Sequence, residues 1–316
     1  MHELTTTRHN ELVDPVLHIW GWEIPVYLFI GGLVAGIMII SGYFTLKGQF
    51  KKNPFSSFYL PHVSLILLSL GMFSLFLDLE HKLYVWRLYT TFKIASPMSW
   101  GAWILILVYP ALFLNTLIRI PDRFKGVVPI FDRLSARINE HPFLIKNIGV
   151  LNILLGILLG MYTGVLLSSI GARPLWNSAM LWMLFLVSGL SSAAAFVHMI
   201  ARDKYERQLL AKADNAFLTL EIFVIGGFIS GLLTSTSVHI EAAKLLLNGP
   251  YAAVFWVFVI GLGIIIPLFL QLLAVNEKVK HTALPPLLVL SGGLILRFVI
   301  VYAGQYSHYM HQALSR

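Results

Sequence analysis

Eight apolar stretches of about 20 residues each run through this chain, separated by short polar connections. A helix of that length crosses the roughly 30 Å hydrocarbon core of a bilayer. Lipid offers the backbone no hydrogen-bond partner, and barrel strands would be shorter and would alternate in polarity. The pattern therefore predicts an all-α integral membrane protein with eight spans, at residues 24–46, 60–79, 100–119, 144–168, 179–200, 216–235, 251–274 and 284–304.

Composition supports the same class of protein. The 316 residues are 57% hydrophobic and only 12% charged, and the mean hydropathy is +0.77. No polar linker or soluble domain interrupts the chain, so we predict a single membrane domain over residues 1–316, whose eight helices are expected to form two four-helix bundles. The segment Met1 to Trp22 has no apolar core typical of a cleaved signal peptide, and span 1 is expected to direct insertion.

Lysine and arginine are distributed unevenly between the two sets of connections. The connections after spans 1, 3, 5 and 7 hold fifteen of them, whereas the termini and the other connections hold seven. Cytoplasmic connections carry the excess of these residues, so both termini are predicted to be extracytoplasmic, in an inner membrane with the active face toward the periplasm. The net charge of +8 is then mostly a topology signal, and no nucleic-acid partner is expected.

Ionisable and phenolic residues recur at the predicted outer ends of the spans. Glu23 and Tyr27 share one face of span 1, Asp78 and His81 close span 2, and Tyr162 lies within two turns of the outer end of span 4. An aromatic belt with solvated helix ends would show the same residue types. Their convergence at one level, with acids at membrane depth, favours a proton-exchanging pocket for a redox lipid.

Other polar or small residues lie deeper. Gly32 belongs to a glycine-rich stretch that permits close approach of a helix backbone or of a flat ring. Glu221 and Arg297 form either a structural ion pair or part of a proton pathway, with Gln305 further along span 8. A haem would need two facing histidines, and His62 with His198 is the one candidate pair. Because histidines do not recur on neighbouring helices at a second depth, histidines at the membrane interface are the preferred interpretation.

The chain contains no cysteine. Disulfides, Cys-ligated zinc and thiolate-held iron–sulfur clusters are thereby excluded within it, and we expect no metal or haem in this chain. Any cluster in the electron path would belong to a partner subunit.

Several longer motifs resemble the NrfD/PsrC-like family of membrane subunits, which exchange electrons between quinone and extracytoplasmic molybdenum or cytochrome enzymes. The tyrosine–serine and arginine–tryptophan blocks are the more specific ones, and the motifs span nearly the whole chain. The matching stretches are residues 22–29, 96–103, 162–169, 172–177 and 297–305.

The resemblance implies a quinol-oxidising or quinone-reducing subunit of a multisubunit respiratory oxidoreductase, with proton release or uptake near the outer face. It implies a menaquinone-type cofactor, an extracytoplasmic four-cluster iron–sulfur partner and a catalytic partner of molybdopterin or multihaem type. Sulfur compounds, nitrite, arsenate, formate and cytochromes are all handled by partners of similar subunits. The bilayer is a further partner, and a dimer of complexes is a further expectation.

Roles can be assigned on these grounds. The resemblance implies a quinone pocket built from the starts of spans 1 and 3 and the ends of spans 2 and 4. Where a well-known member has an Asn and a His on helix 1, this chain has Glu23 or Ile24 and Tyr27. The predicted proton-exchanging or catalytic residues are Glu23, Asp78 and His81; the predicted cofactor-binding residues are Trp22, Tyr27, Gly32, Ser99, Trp100, Tyr162 and Arg173; and the predicted proton pathway comprises Glu221, Arg297 and Gln305.

A transporter is the alternative from another class. It would use Glu221 and Arg297 as a midplane site for protons or a solute. Such a site requires helices broken near mid-bilayer, and Pro267 in span 7 is the internal proline expected to supply a break.

Overall fold

The protein is all-helical wherever the structure describes it. A computed structural model describes residues 20–48, 59–118, 120, 125–126, 128–201, 204–276 and 282–307. Among these residues there is no strand, and eight helices are long and apolar enough to cross a membrane, which confirms the predicted class. Spans 1 to 8 are Glu23–Leu46, Leu60–Asp78, Pro97–Ile118, Pro142–Ser168, Leu181–Ile200, Lys204–Leu233, Val254–Val275 and Leu284–Tyr306. Residues 1–19, which bear the signal-peptide expectation, lie outside the described residues.

Proline sets the start of several helices. Spans 3 and 4 begin at Pro97 and Pro142, two or three residues before the predicted starts, and spans 2 and 8 have proline in their first turn. Proline at the first helical position loses no hydrogen bond, because that N–H has no intrahelical acceptor, and its φ is already helical. The prolines therefore fix these starts more closely than hydropathy does.

Span 6 differs most from its predicted bounds. The helix begins at Lys204 rather than near residue 216, since its first three turns are polar and extend beyond the apolar stretch. Hydropathy detects only the part of a helix that lies in lipid. Glu221 consequently lies near the middle of the helix rather than near its inner end.

Connections carry shorter helices. Lys82–Tyr84 and Trp86–Thr90 lie between spans 2 and 3, Pro129–Glu140 lies between spans 3 and 4, and Ser237–Leu247 lies between spans 6 and 7. The segment between spans 2 and 3 thus folds as a surface segment over the span ends that were predicted to be outer.

The spans pack as two four-helix bundles. Spans 1 to 4 form a closed ring of neighbours, and so do spans 5 to 8. Span 1 also packs on spans 5 and 8, and span 4 packs on span 5, so these helices form the seam between the bundles. Gly32 and Gly189 bring the backbones of spans 1 and 5 into direct contact there, because a Cβ on Gly189 would lie 2.7 Å from the Gly32 carbonyl oxygen.

Span 7 is wound as a π-helix over Val254–Ile265 and as an α-helix over Ile266–Val275. Pro267 lies at the junction, and Pro110 lies inside span 3. The expectation that Pro267 is the one internal proline of interest therefore missed Pro110. All eight described spans are continuous through their prolines, so the broken helices that a transporter requires are not found in the described residues.

Candidate functional site

The start of span 1 and the end of span 2, both predicted to be outer, are joined at the predicted carboxylates. The Ser74 hydroxyl donates a 2.9 Å hydrogen bond to the backbone carbonyl of Glu23. Asp78 follows one turn later, and its carboxylate interacts electrostatically with that of Glu23. Both side chains are half-buried, and the structure thus brings together two acids predicted from different spans.

Two phenols lie beneath this carboxylate pair. Tyr27 is 4% exposed and Tyr162 is 6% exposed, and the two interact electrostatically. The ring of Tyr162 lies directly on Gly101 of span 3, where any Cβ would overlap it. Because only glycine leaves room for the ring, Gly101 fixes the position of Tyr162 between spans 3 and 4.

A third phenol, Tyr89, joins them from the surface segment above. Burial, followed by the neighbouring Tyr109 phenol, raises the pKa of Tyr89, and Tyr89 in turn interacts electrostatically with Tyr27. Neither Tyr89 nor Tyr109 was predicted from the sequence as a site residue. Their spacing from Tyr27 along the chain carries no signal, since the three residues belong to different elements.

Ser99 and Trp100 anchor the surface segment to span 3. The Ser99 hydroxyl donates to the Thr91 carbonyl over 3.3 Å and accepts from the Lys93 N–H over 3.0 Å. The indole of Trp100 donates to the Ile94 carbonyl over 2.8 Å. These two predicted binding residues therefore hold the segment that carries Tyr89 over the phenols.

His81 and Trp22 lie at the edge of this site. His81 is exposed, and its ring packs edge-on against Tyr84. Trp22 is 52% exposed at the start of span 1. Neither side chain lies beside the buried phenols in a described contact, so both stand at the outer rim rather than within the cluster.

Arg173 and Gln305 belong to a separate lock between the two bundles. Arg173 is buried and donates to the Ser307 carbonyl over 3.1 Å, while Gln305 exchanges two 3.0 Å hydrogen bonds with the backbone of Trp20. The rings of Trp176 and Trp20 stack, with 5.2 Å between their centroids. Arg173, a predicted cofactor-binding residue, and Trp176 are buried against span 8 and tie its end to the start of span 1.

Arg297 is the largest of the fully buried side chains, and it lies in the second bundle. Its Nη1 donates to the Ser188 hydroxyl over 3.0 Å, and its Nη2 donates to the Phe185 carbonyl over 3.1 Å. Glu221 is hydrogen-bonded to the same Ser188 and interacts electrostatically with Arg297. Gly32 faces this guanidinium at the seam rather than the phenols, since a Cβ on Gly32 would lie 3.4 Å from Arg297 Nη2.

The polar network extends to Asp214, which was not predicted from the sequence. Asp214 of span 6 is fully buried, accepts hydrogen bonds from Ser191 over 2.9 Å and Gln271 over 2.7 Å, and interacts electrostatically with Glu221. It escaped notice because span 6 was predicted to begin after it. Arg297 Nε has no hydrogen-bond partner among the described residues.

Comparison with known proteins covers almost the whole chain. Residues 6–307 match the family model described as polysulphide reductase, NrfD. The chain belongs to the NrfD family. The predicted resemblance is thereby confirmed, and so is membership in a class of membrane subunits.

Individual relatives of this NrfD-family protein extend the match. It is 29% identical to the C chain of polysulfide reductase from Wolinella succinogenes, over 91% of this protein and 94% of the relative. It is 30% identical to protein NrfD of Escherichia coli K12, over 91% and 95% of the two proteins. It is 24% identical to the C subunit of selenate reductase from Mesobacillus selenatarsenatis, over 89% and 73%.

The donor set of this NrfD-family protein is phenolic and carboxylic. Among the described residues, no group of three or more His, Asp and Glu side chains is arranged to hold a metal ion. The phenol cluster with its carboxylate pair lies at the predicted outer ends of spans 1, 2 and 4 and under the surface segment; we call it the outer site, and it comprises Glu23, Tyr27, Asp78, Tyr89 and Tyr162. Such a set can hold and exchange protons at a ring that carries two oxygens.

Proposed function

We propose that the outer site binds a quinone of menaquinone type and exchanges electrons with an extracytoplasmic iron–sulfur partner. The observation that carries this proposal is the convergence of two buried phenols, Tyr27 and Tyr162, beneath the interacting carboxylates of Glu23 and Asp78. Relatives named as parts of polysulfide and selenate reductases support the assignment to an oxidoreductase complex.

The residues of the outer site fit the chemistry of a quinone. A bound quinol supplies two electrons and two protons when it is oxidised. Phenol hydroxyls donate hydrogen bonds to ring oxygens, so Tyr27 and Tyr162 orient the head group from below. A ring also packs well on phenol faces in an apolar setting, and the buried positions of both tyrosines exclude water.

Proton exchange falls to the carboxylates. Glu23 and Asp78 are half-buried at the helix ends, and Glu23 lies one helical turn before Tyr27 on the same face of span 1. Carboxylates in such a position can act as general acids and bases between a bound quinol and solvent. His81 at the rim extends this route to solvent.

Asp78→Asn tests the outer site. We expect quinol-dependent turnover of the complex to fall at least tenfold, in line with the loss of a proton-transfer group, while activity of the catalytic partner with artificial electron carriers stays unchanged. Glu80→Gln is the matched control, since Glu80 is an exposed acid two residues away. Loss of both activities together, or equal losses in the two variants, would count against the assignment.

Partner docking is proposed for the outer surface that covers this site. The segment between spans 2 and 3 carries Lys82, Arg87 and Lys93, although outer connections have few cations in this chain. It also exposes Tyr84 and Trp86, on which Arg87 stacks. Exposed aromatic residues with arginine are typical of the centre of a protein interface.

A second function, proton conduction through the second bundle, is favoured by the buried network of Glu221, Asp214 and Arg297. The two carboxylates of span 6 and the serine hydroxyls of span 5, joined to Arg297 of span 8, offer successive positions for a proton within a membrane-embedded bundle. Glu221→Gln in proteoliposomes should abolish proton uptake coupled to turnover and leave uncoupled quinol turnover intact. Unchanged proton uptake would assign the network to structure alone.

A further inference from the structure

We propose that the quinone head group reaches the outer site laterally from the bilayer, through an opening between spans 2 and 3 that is closed by Ser69 and Tyr109. This inference rests on the proposed quinone function and adds the path by which the ligand arrives. Ser69 and Tyr109, which we call the lateral gate, lie outside the outer site and were not assigned a role there.

Ser69 and Tyr109 lie on neighbouring spans, at a surface that faces lipid. The Ser69 hydroxyl and the Tyr109 hydroxyl are 3.5 Å apart and bridge spans 2 and 3. Ser69 is exposed on the same face as Ile66, Leu70 and Phe73, which are 62%, 53% and 58% exposed and face lipid. The pair therefore forms a polar contact between two neighbouring spans at a surface that faces lipid.

The contact between Ser69 and Tyr109 that closes the opening is weak. A separation of 3.5 Å is at the limit of a hydrogen bond, and Ser69 already donates to the Leu65 carbonyl over 2.9 Å. Spans 2 and 3 also have the sparsest packing among neighbouring spans of the first bundle. The two helices can therefore separate locally at small cost.

Pro110 interrupts the hydrogen bonding of span 3 at the same level. It lies inside span 3 next to Tyr109 and lacks the N–H that would bond the carbonyl of Ile106. The Ile106 carbonyl therefore lacks its usual hydrogen bond from the N–H four residues later, which weakens span 3 locally beside Tyr109.

Phenols connect the lateral gate with the outer site. Ser69 lies nine residues before Asp78, about 13 Å along the helix axis. Tyr109 is electrostatically close to Tyr89, Tyr89 to Tyr27, and Tyr27 to Tyr162. These phenols therefore form a series between the lateral gate and the carboxylate pair, and each has a hydroxyl that can hydrogen-bond a ring oxygen while the isoprenoid tail stays in lipid.

A plug at the lateral gate tests the route. In the purified complex in nanodiscs, a full-length azido-menaquinone is incubated for increasing times before a flash, and the label in this chain is measured. Ser69→Phe should slow labelling about tenfold, since an overpacked gate raises the barrier, and should leave the final amount unchanged. Ser69→Ala should not slow it, and Ser230→Phe, at an exposed serine of span 6, is the matched control.

The outcomes separate the gate from the function. Slow labelling in Ser69→Phe alone supports the gate. Unchanged labelling in Ser69→Phe, or equal slowing in Ser230→Phe, overturns the gate while the quinone function stands. No light-dependent label in the unmodified chain, with or without excess unlabelled menaquinone, overturns the proposed function and the gate with it.

Discussion

Single side chains decide the geometry of the outer site. Tyr162 occupies its position because residue 101 has no side chain, and Ser99 holds the segment that brings Tyr89 above Tyr27. Glycine and serine here have roles that no charge or motif announces. The phenols would act on a ligand, but these small residues position them.

Gly101→Ala is predicted to disable the outer site without disrupting the fold. The added methyl group overlaps the ring of Tyr162, which must move, and misplacement of a positioning group by about 1 Å can cost on the order of 10²-fold in rate. Quinol-dependent turnover measures this effect, with artificial-carrier activity as the reference. Gly226→Ala is the control, since a Cβ there meets nothing within 4 Å. Equal activities of the two variants would contradict the assigned contact.

Pairs of spans are held by polar contacts as well as by apolar packing. Arg297 of span 8, Ser188 of span 5 and Glu221 of span 6 form one connected group inside the second bundle. The seam at the outer face is closed by Trp20 and Gln305. Helix association in lipid relies on such contacts, because lipid tails are as apolar as the helix surfaces.

Arg297→Met should destabilise the second bundle by about 3 kcal/mol, because the Glu221 carboxylate is left buried without its counter-charge. The double variant Arg297→Met, Glu221→Gln should regain part of that loss. Thermal unfolding midpoints in detergent for the two single variants and the double variant complete the cycle. Strictly additive losses would show that the two residues are not coupled.

Gln305→Leu should loosen the start of span 1. It removes both hydrogen bonds to the backbone of Trp20, at a cost of about 1–2 kcal/mol. Faster hydrogen exchange over residues 20–27 would report the change. Ser291→Ala, which alters a bond within span 8 alone, is expected to leave that exchange rate unaffected.

At the scale of the whole molecule, two bundles share one seam, and the two polar centres lie in different bundles. The outer site belongs to spans 1 to 4 and the connected acids belong to spans 5 to 8. Arg297 and Gly32 meet at the seam, so span 1 touches both centres. This arrangement places any coupling between quinone chemistry and proton movement on span 1.

Orientation in the membrane can be measured directly because the chain has no cysteine of its own. With single cysteines in this chain, Lys244→Cys should react with an impermeant maleimide added to intact spheroplasts, and Arg133→Cys should react only after lysis. Both positions are exposed, so access depends on the side of the membrane. The reverse pattern would place the termini and the outer site in the cytoplasm.

The sequence by itself determined the eight spans and the carboxylates and phenols near one set of their ends. Bilayer thickness and the cost of an unpaired peptide group in hydrocarbon leave helices of one length as the solution, and that constraint is local in the chain. The family could also be predicted from the sequence, because its motifs are contiguous stretches of the chain.

Only the tertiary structure decided which of these residues meet. It joined Tyr27 with Tyr162 and Tyr89, moved Arg173 and Gln305 into a structural lock, left His81 exposed, and added Asp214 to the buried network. In a span, the face toward lipid and the face toward protein are both apolar, so no periodicity shows which side turns inward. Contacts between helices are therefore set by packing in three dimensions, above all by close approach at glycines such as Gly101 and Gly32.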